Sequence, residues 1–272
     1  MLEEKTSPRE WASLLRISKS HIQTYLICPR KFYFQYVVAI PWEFVPSSLP
    51  FGSALHAAVA FFYRMLKDGE KPDLAFVLSE FKRTWEEETE GKTIDFAPGS
   101  SKESMQGLGI ALLRMFYEEI APRKVEVVEY PFSVPLYDPD GGKKLEYALV
   151  GKIDLIESDD DRNLIISELK TSSKRFADSQ GENQLDGLVY AYALDQLGFR
   201  TDENRTLIRY DVLIKTKKPG FQQVYFNKEA GDYRRLTRWI KEILQAIDRE
   251  SFFPNFSWAC KQCPFKRTCW LM

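Results

Sequence analysis

The sequence predicts a mixed α/β domain of three layers, in which helices lie on both sides of a central sheet that contains a hairpin. The period of the apolar residues is helical in the first 120 positions and changes to the alternation of strands after residue 125. Helical period returns after residue 184, so helices enclose the strands along the chain. With 272 residues, of which 44% are hydrophobic and 28% are charged, the chain is long enough for one large core or two modest ones.

Helices account for most of the N-terminal part. Ser18 or Ser20 can cap a first helix that runs through HIQTYLI, and Pro29 interrupts or restarts that helix. A proline-rich loop, PWEFVPSSLPFGS, then leads to a second helix. This second helix and the two amphipathic helices after it are predicted at 54–66, 74–88 and 102–120.

Strands and two further helices account for the rest of the chain. Polar residues at 158–163 join two of the strands into a hairpin, and Gly198 stands where the end of a helix favours glycine. The strands are predicted at 125–136, 146–157, 164–171 and 207–216. The helices are predicted at 184–197 and 233–248.

The chain has four cysteines, and three of them form the pattern C-x2-C-x5-C near the C-terminus. These three are Cys260, Cys263 and Cys269, whereas Cys28 stands alone near the start. Isolated buried thiols have no reason to cluster in this way, and thiolates are ligands for zinc and for iron. The pattern therefore predicts a metal site that joins the N- and C-terminal segments.

Several states of the four thiols are compatible with this spacing. Two disulfides would need an oxidising compartment, yet the sequence begins MLEEKTSPRE, without the apolar segment of a secretory signal, so a cytoplasmic location is expected. Zinc is a rival, although structural zinc sites more often use two paired cysteine knuckles. Three clustered thiolates with a remote fourth favour an iron–sulfur cluster, and free structural thiols are the simplest alternative.

Charged residues that could perform chemistry lie on the two strands of the hairpin. Asp154 lies on the first strand, and Glu168 and Lys170 lie on the second, where alternation places them on one face and Leu169 on the other. Two carboxylates offer the oxygen ligands that magnesium prefers, and a lysine beside them can orient water or balance charge on a phosphate. An exposed cross-strand charge pair gives the same residues, but the surrounding VGKID and LIISELK segments are apolar enough to be buried.

The net charge is −1, but the charges are unevenly distributed. From Arg205 to the end there are 14 Lys and Arg against 6 Asp and Glu, which suits either a phosphate-binding surface or an inert one. Aromatic residues in the same part would suit a groove for a single strand, although most aromatic residues are core residues by default. They are Tyr210, Phe221, Tyr225, Phe226, Tyr233 and Trp239. The longest apolar stretch, 54–62, is too short to cross a membrane.

Motifs along almost the whole chain resemble those of a known family. They are ISKSHIQTYLICPRKFYFQYV, FGSALHAAV, VGKIDLIE, LIISELKTSSK, NQLDGLVYAYAL and CKQCPFKRTC. In this order they resemble the RecB-type nucleases of the PD-(D/E)XK superfamily, in the iron–sulfur branch that includes the AddB nuclease domain and the CRISPR-associated RecB-like exonucleases. The resemblance implies a restriction-endonuclease-like fold and one nuclease domain. Its parts would be the whole domain at 1–272, an N-terminal helical part at 17–66, a catalytic sheet core at 125–216 and a cysteine segment at 252–272.

The resemblance also implies roles for individual residues. Asp154 and Glu168 would bind magnesium or manganese, and Lys170 would be the catalytic lysine. His56, in G-x-x-x-H, would be a further metal ligand, whereas by itself a lone histidine on an apolar helix is more often a core residue. The four cysteines, Cys28, Cys260, Cys263 and Cys269, would hold a 4Fe–4S cluster, with zinc as the alternative.

One motif departs from the family pattern. The family usually has a glutamine four residues before a tyrosine on the helix after the catalytic lysine, but Gln184 is followed four residues later by Leu188. Tyr190, six residues after Gln184, is paired with it as a candidate catalytic residue. Ordinary helix packing is the other interpretation of Tyr190.

The function expected from these residues is divalent-metal-dependent hydrolysis of DNA, by an exonuclease that acts on single strands or ends. The alternatives are a non-catalytic DNA-binding or assembly module that keeps the fold and the cluster, and a zinc-stabilised scaffold without nucleic acid. A Walker-type phosphate-binding loop is incomplete here because Glu86 stands where the pattern needs glycine. A helicase or integrase activity would therefore come from a partner chain.

Overall fold

The computed structural model describes residues 16–160, 163–177, 184–199, 206–227 and 230–271. Within these ranges a mixed six-stranded sheet has helices packed on both faces, as the sequence predicts. The strands are β1 (Arg16–Ser18), β2 (Val45–Pro46), β3 (Ile94–Asp95), β4 (Lys124–Tyr137), β5 (Lys144–Ser158), β6 (Leu164–Ser172), β7 (Thr206–Ile214) and β8 (Gly220–Phe226). The helices are α1 (Lys19–Ile27), α2 (Pro29–Phe32), α3 (Ser48–Lys67), α4 (Leu74–Thr89), α5 (Lys102–Glu119), α6 (Leu185–Gln196), α7 (Ala230–Asp248) and α8 (Lys266–Trp270).

Shorter elements complete the described chain. A π-helical segment, Tyr33–Val37, follows α2, and a 3-10 helix, Trp258–Gln262, precedes α8. β2 and β3 pair with each other in parallel and form a separate two-stranded sheet. No helix in the described ranges is long and apolar enough to cross a membrane.

The order of the strands places two different strands on one edge of β5. β4 pairs with β5 in antiparallel orientation along almost its full length. The other edge of β5 is shared, because β1 pairs in parallel with residues 148–150 and β6 pairs in antiparallel orientation with residues 155–158. β6 continues the sheet through β7, in parallel, and then β8, in antiparallel orientation. Residues 151–154 of β5 consequently face a gap between β1 and β6.

Alternate residues of the strands belong to two hydrophobic cores, one on each face of the sheet. Val212 and Ile214 of β7 pack with α1, α6 and α7, whereas Leu213 between them packs with α3, α4 and α5. Burial of a large apolar side chain of this kind contributes about 1.5–3 kcal/mol. The two-residue period of the sequence therefore leads directly to the three-layer arrangement.

The predicted helices and strands all form, and most of their ends lie within two residues of the prediction. The helix predicted at 54–66 begins six residues earlier, at Ser48. Pro50 is tolerated in its first turn, because backbone N–H groups there have no hydrogen-bond partner within the helix. β1 and β8 are not predicted by the sequence. β1 has only three residues, and two central glutamines of β8 obscure its apolar pattern.

The N- and C-terminal segments meet, as the cysteine pattern predicts. The hydroxyl of Tyr25 donates a hydrogen bond to the carbonyl of Ser251 at 2.7 Å, although the two residues are 226 positions apart. The backbone N–H of Arg30 donates to the carbonyl of Phe253 at 3.1 Å. These contacts close a very long loop, whose entropic cost must be offset by the interactions at its ends.

Candidate active site

The gap on the edge of β5 contains the two carboxylates that the sequence singles out. Leu155 of β5 and Ser167 of β6 form the last pair before these two strands separate. Asp154 and Glu168 are the next residues on their strands, so both carboxylates lie where the separation begins. The Asp154 carboxylate interacts with that of Glu168 and accepts a hydrogen bond from the backbone N–H of Leu169 at 3.3 Å.

His56 reaches Asp154 from the helical layer on one face of the sheet. It lies in α3, and its Nδ1 atom is 3.0 Å from Oδ2 of Asp154. Burial by itself lowers the pKa of His56, but the hydrogen bond and the charge of Asp154 raise this pKa above its ordinary value. Burial likewise raises the pKa of Asp154, but the contacts with His56 hold it below its ordinary value. The pair therefore favours an ionised carboxylate beside a protonated imidazole, at the side of a cavity of about 560 Å³.

Glu168 is buried, with 3% of its surface exposed, and its two oxygens have different partners. Oε1 accepts hydrogen bonds from the ammonium groups of Lys170 at 3.0 Å and of Lys19 at 3.3 Å. Oε2 accepts a hydrogen bond from the hydroxyl of Tyr190 at 2.7 Å. A buried carboxylate is costly unless charged or polar partners surround it, and these three contacts supply such partners.

A third carboxylate, which the sequence analysis does not identify, completes this charge network. Asp186 lies in the first turn of α6 and contacts the ammonium groups of both Lys170 and Lys19. Lys19, Glu168, Lys170 and Asp186 thereby form a closed charge ring in which positive and negative groups alternate. The charges cancel within the ring, which allows two carboxylates to be buried side by side.

Lys19 and Tyr190, which both contact Glu168, have pKa values that keep them protonated. Burial by itself lowers the pKa of Lys19, but Glu168 and Asp186 together raise it well above its ordinary value. Burial raises the pKa of Tyr190 well above its ordinary value, and the negative charge of Glu168 adds to this effect. Both side chains therefore remain hydrogen-bond donors to Glu168 over the physiological range of pH.

Gln184 and Tyr190, which the sequence pairs as candidate catalytic residues, occupy different positions relative to α6. Gln184 immediately precedes α6, and its side chain does not cap that helix. Asp186 instead occupies the position four residues before Tyr190, so these two residues lie on one face of α6. The spacing Asp-x3-Tyr is visible in the sequence and could have identified Asp186. Lys19 has no comparable signal, because it comes from the other end of the chain.

The donor atoms around Asp154 suit a hard divalent cation. Asp154 and Glu168 offer carboxylate oxygens side by side, and His56 offers an imidazole nitrogen, which together are typical of magnesium or manganese sites. In the part of the chain that the structure describes, no three histidine, cysteine, aspartate or glutamate side chains are close enough to hold an ion as they stand. Oε1 of Glu168 faces two ammonium groups, so a cation would compete with Lys19 and Lys170 for this oxygen.

The four cysteines surround a second, much smaller cavity of about 30 Å³ between the N- and C-terminal segments. All four are free thiols. The backbone N–H of Asn255 donates a hydrogen bond to the sulfur of Cys28 at 3.4 Å, and that of Ser257 donates to the sulfur of Cys260 at 3.5 Å. Residues from the two ends of the chain therefore contribute to one thiol cavity.

The chemistry of this thiol cavity fits a soft metal centre. Burial raises the pKa of Cys263 and of Cys269, and the charges of the neighbouring sulfur atoms raise both further. A bound cation would remove this repulsion, and backbone N–H donors to sulfur are a known means of stabilising thiolate ligands. The thiol donors are therefore of the kind that an iron–sulfur cluster or a zinc ion takes, although as they stand no three of the described side chains are close enough to hold a single ion. What the structure itself shows is the joining of the terminal segments.

The predicted aromatic groove is wrong for three of its six members. Tyr210, Phe221 and Phe226 are buried in the two cores, with at most 8% of their surface exposed. Tyr225 and Trp239 are exposed, and Tyr233 packs against the core that contains α7. The reason is that β7 and β8 form an antiparallel pair with helices on both faces, which the basic composition of this part does not reveal.

A mixed sheet that brings carboxylates and a lysine together between layers of helices defines an α/β domain of the nuclease class. The chain belongs to the PD-(D/E)XK nuclease superfamily, whose family model matches residues 16–270. The restriction-endonuclease-like fold that the motifs imply agrees with the observed layers. Members of this superfamily are nucleases that generally use divalent metals such as magnesium or manganese.

Two of the solved structures to which the chain is similar cover nearly its whole length. A candidate exonuclease from Eubacterium rectale has a TM-score of 0.54 at 10% sequence identity, over 98% of this chain and 92% of its own. The crystal structure of SSO0001 has a TM-score of 0.41 at 16% identity, over 96% of this chain and 91% of its own. No curated protein matches the chain. The first similarity supports the fold, and the family match supports the class of enzyme.

Proposed function

We propose that this protein is a divalent-metal-dependent DNA nuclease that acts as an exonuclease on single strands or ends. The observation that supports it most is that Asp154, Glu168 and Lys170 meet where β5 and β6 separate. Ionisable side chains gathered in such a cleft are more typical of a functional site than of a structural core. The adjoining cavity of about 560 Å³ gives space for a phosphodiester group beside Asp154.

Each residue of this site has a role that its contacts support. Asp154 and Glu168 would hold magnesium or manganese, with His56 as a further ligand. When bound, the cation supplies a Lewis acid for the scissile phosphate and lowers the pKa of coordinated water. Lys170 keeps its ammonium beside Glu168, from where it stabilises negative charge that develops on the phosphate. Tyr190 donates to Oε2 of Glu168 and so fixes the orientation of this carboxylate.

A 4Fe–4S cluster in the thiol cavity is the second part of the proposal, and it would place the protein in the iron–sulfur branch of the RecB-type nucleases. Four free thiols around one cavity support it, and a reducing compartment such as the cytoplasm would keep them free. Metal analysis and visible absorption of anaerobically purified protein test it. Iron with sulfide and a brown colour are expected, whereas stoichiometric zinc without iron would assign the cavity to zinc.

Cleavage of end-labelled DNA tests the nuclease activity. Single- and double-stranded DNA labelled at either end is incubated with manganese, magnesium or EDTA, beside RNA of the same sequence. Progressive shortening from one end that disappears with EDTA is expected. Tight binding without cleavage under every condition would favour the non-catalytic DNA-binding or assembly module. Any unwinding or integration that accompanies the reaction would come from a partner chain.

A further inference from the structure

A cavity of about 730 Å³ lies beside the catalytic cleft, outside the site described above. The 3-10 helix of the C-terminal segment forms one of its walls. The opposite side comes from α2, from the loop before β2 and from the residues that follow β3. Aromatic and cationic side chains line it, namely Trp42, Phe96, Trp258, Lys31 and Lys261.

The exposed aromatic side chain in this lining adds little to the stability of the fold. Trp258 is 79% exposed, so its indole contributes little to either core. Trp42 packs edge to face against Phe265, with the two ring centroids 6.1 Å apart. Other exposed aromatic side chains are concentrated in the same C-terminal segment, namely Phe253, Phe256 and Trp270. Exposed aromatic residues this frequent in one short segment indicate a binding surface, and Trp258 is the one among them that lines this cavity.

The charge of this surface indicates what it binds. Residues 252–272 contain Lys261, Lys266 and Arg267 but no aspartate or glutamate. Lys31 adds a positive charge from α2, and Asp95 of β3 adds one negative charge to the lining. Single-stranded nucleic acid needs this combination, because its bases stack on aromatic rings while its phosphates pair with cations.

The cavity and the catalytic cleft share a wall. Ser48 and Leu49, in the first turn of α3, line both. These two residues carry the first backbone N–H groups of α3, and the side chain of Ser47 does not accept a hydrogen bond from them. A helix start of this kind attracts phosphate. His56 lies about 12 Å further along the same helix, beside Asp154.

We propose that the cavity lined by Trp258 and Lys261 binds single-stranded nucleic acid and continues the catalytic cleft across the first turn of α3. The inference rests on the nuclease function proposed above. Trp258 provides a platform on which a base stacks, Lys261 contacts a phosphate, and the start of α3 holds a phosphate between the two cavities. Only a base that is unpaired can stack on the exposed indole, so the cavity selects the single strand.

Binding of fluorescent oligothymidylates of increasing length, in buffer without divalent cations, tests the proposal. Trp258→Ala should weaken the binding of long oligonucleotides about tenfold or more and leave the shortest ones, which cannot reach from the cleft, unchanged. Trp258→Phe should restore most of the affinity because phenylalanine also stacks. Phe76→Ala, on α4, is the matched control, since Phe76 is 64% exposed and lies away from the cavity.

The salt dependence of affinity is an independent measurement. Lys261→Ala should reduce the log–log slope for a long oligonucleotide by about 0.7, the value for one phosphate contact to a single strand. Lys124→Ala is the control, because that side chain is 75% exposed on β4.

The possible outcomes separate this inference from the nuclease function. If the wild-type protein cleaves DNA but Trp258→Ala and Phe76→Ala bind long oligonucleotides with the same affinity, this inference alone is overturned. Wild-type protein that neither binds nor cleaves would overturn both. If Trp258→Ala fails to fold, the Trp258→Phe affinity and the Lys261→Ala slope decide, and an unchanged slope with Lys261→Ala then counts against the proposal.

Discussion

The carboxylate of Asp186 contacts the ammonium of Lys170 from the first turn of α6. Lys170 also donates to Glu168, so two carboxylates on different elements hold the proposed catalytic lysine. An ammonium that is fixed from two sides needs little reorganisation when negative charge develops on a phosphate. In this arrangement Asp186 faces ammonium groups, and we expect it to position Lys170 rather than to hold the metal.

Asp186→Asn should therefore slow cleavage while the fold is kept. Loss of one charge from the ring removes a contact that holds the Lys170 ammonium in place. A misplaced catalytic group of this kind lowers the rate about 10²-fold. Steady-state kinetics on end-labelled single strands should show the effect in kcat, with KM nearly unchanged. Asp195→Asn, an exposed aspartate on the same helix, is the matched control. Equal rates for the two variants would show that Asp186 has no part in positioning Lys170.

Lys170→Ala should abolish cleavage and leave DNA binding nearly intact. Removal of one group that stabilises charge in the transition state costs about 10²–10³ in kcat. Lys152→Ala is a suitable control, because Lys152 lines the same cavity but its side chain is 53% exposed and pairs with Glu129 outside the ring. If Lys170→Ala cleaves DNA at the wild-type rate, in a preparation free of other nucleases, the active site is wrongly assigned.

Cys28→Ser should lower the melting temperature and the bound metal together. Serine is close to cysteine in size, so the change removes a thiolate ligand and leaves the packing nearly unaltered. The ligand closes a loop of more than two hundred residues, and its loss should destabilise the folded state as well as the thiol cavity. Thermal unfolding and metal analysis of the same sample give the two readings. A variant with full metal content and unchanged melting temperature would exclude Cys28 as a ligand.

Arg209→Met should destabilise the fold without removing a member of the charge ring or a proposed metal ligand. The guanidinium of Arg209 lies 2.6 Å from Glu157 and 2.8 Å from Asp211, and all three side chains are at most 5% exposed. Loss of one partner from a buried ion pair costs about 3–5 kcal/mol. Urea unfolding should show this loss, whereas Arg235→Met, which breaks an exposed pair with Asp232, should change stability by about 0.5 kcal/mol or less.

The deficit of Arg209→Met should also depend on pH. Burial already raises the pKa of Glu157 and of Asp211, and Arg209 opposes that effect. Without Arg209 the folded protein favours the protonated form of both carboxyls, so their pKa values in the folded state lie above those in the unfolded state. The destabilisation is therefore smallest below the unfolded-state pKa values of the two carboxyls and grows as pH rises. Urea unfolding at about pH 4 and at about pH 7 should show the smaller loss in free energy of unfolding at the lower pH. The same deficit at both pH values would show that removal of Arg209 does not raise the pKa of either carboxyl in the folded state.

The fold is largely predictable because its two cores follow local periods. The strand residues Val212, Leu213 and Ile214 alternate between the faces, as a period of two requires. β1 could not be predicted, because its three residues are a strand only where they pair with β5, more than a hundred positions later. The division of the chain into the parts 17–66, 125–216 and 252–272 stays a prediction.

The site is predictable only where its residues lie on the hairpin. Asp154, Glu168 and Lys170 are close in sequence, and strand geometry alone brings them together. Lys19 and Asp186 come from separate helices, and only the packing of α1 and α6 against the sheet places them in the ring. A role of Gln184 in catalysis likewise stays a prediction.

Helix α1 belongs to both the charge ring and the thiol cavity. Lys19 is its first residue, and Cys28 directly follows its last. Nine residues of α-helix span about 13 Å, a length over which a helix behaves as a stiff rod. The thiol cavity and the charge ring are therefore attached to the two ends of one short helix, so a displacement of α1 along its axis would alter both.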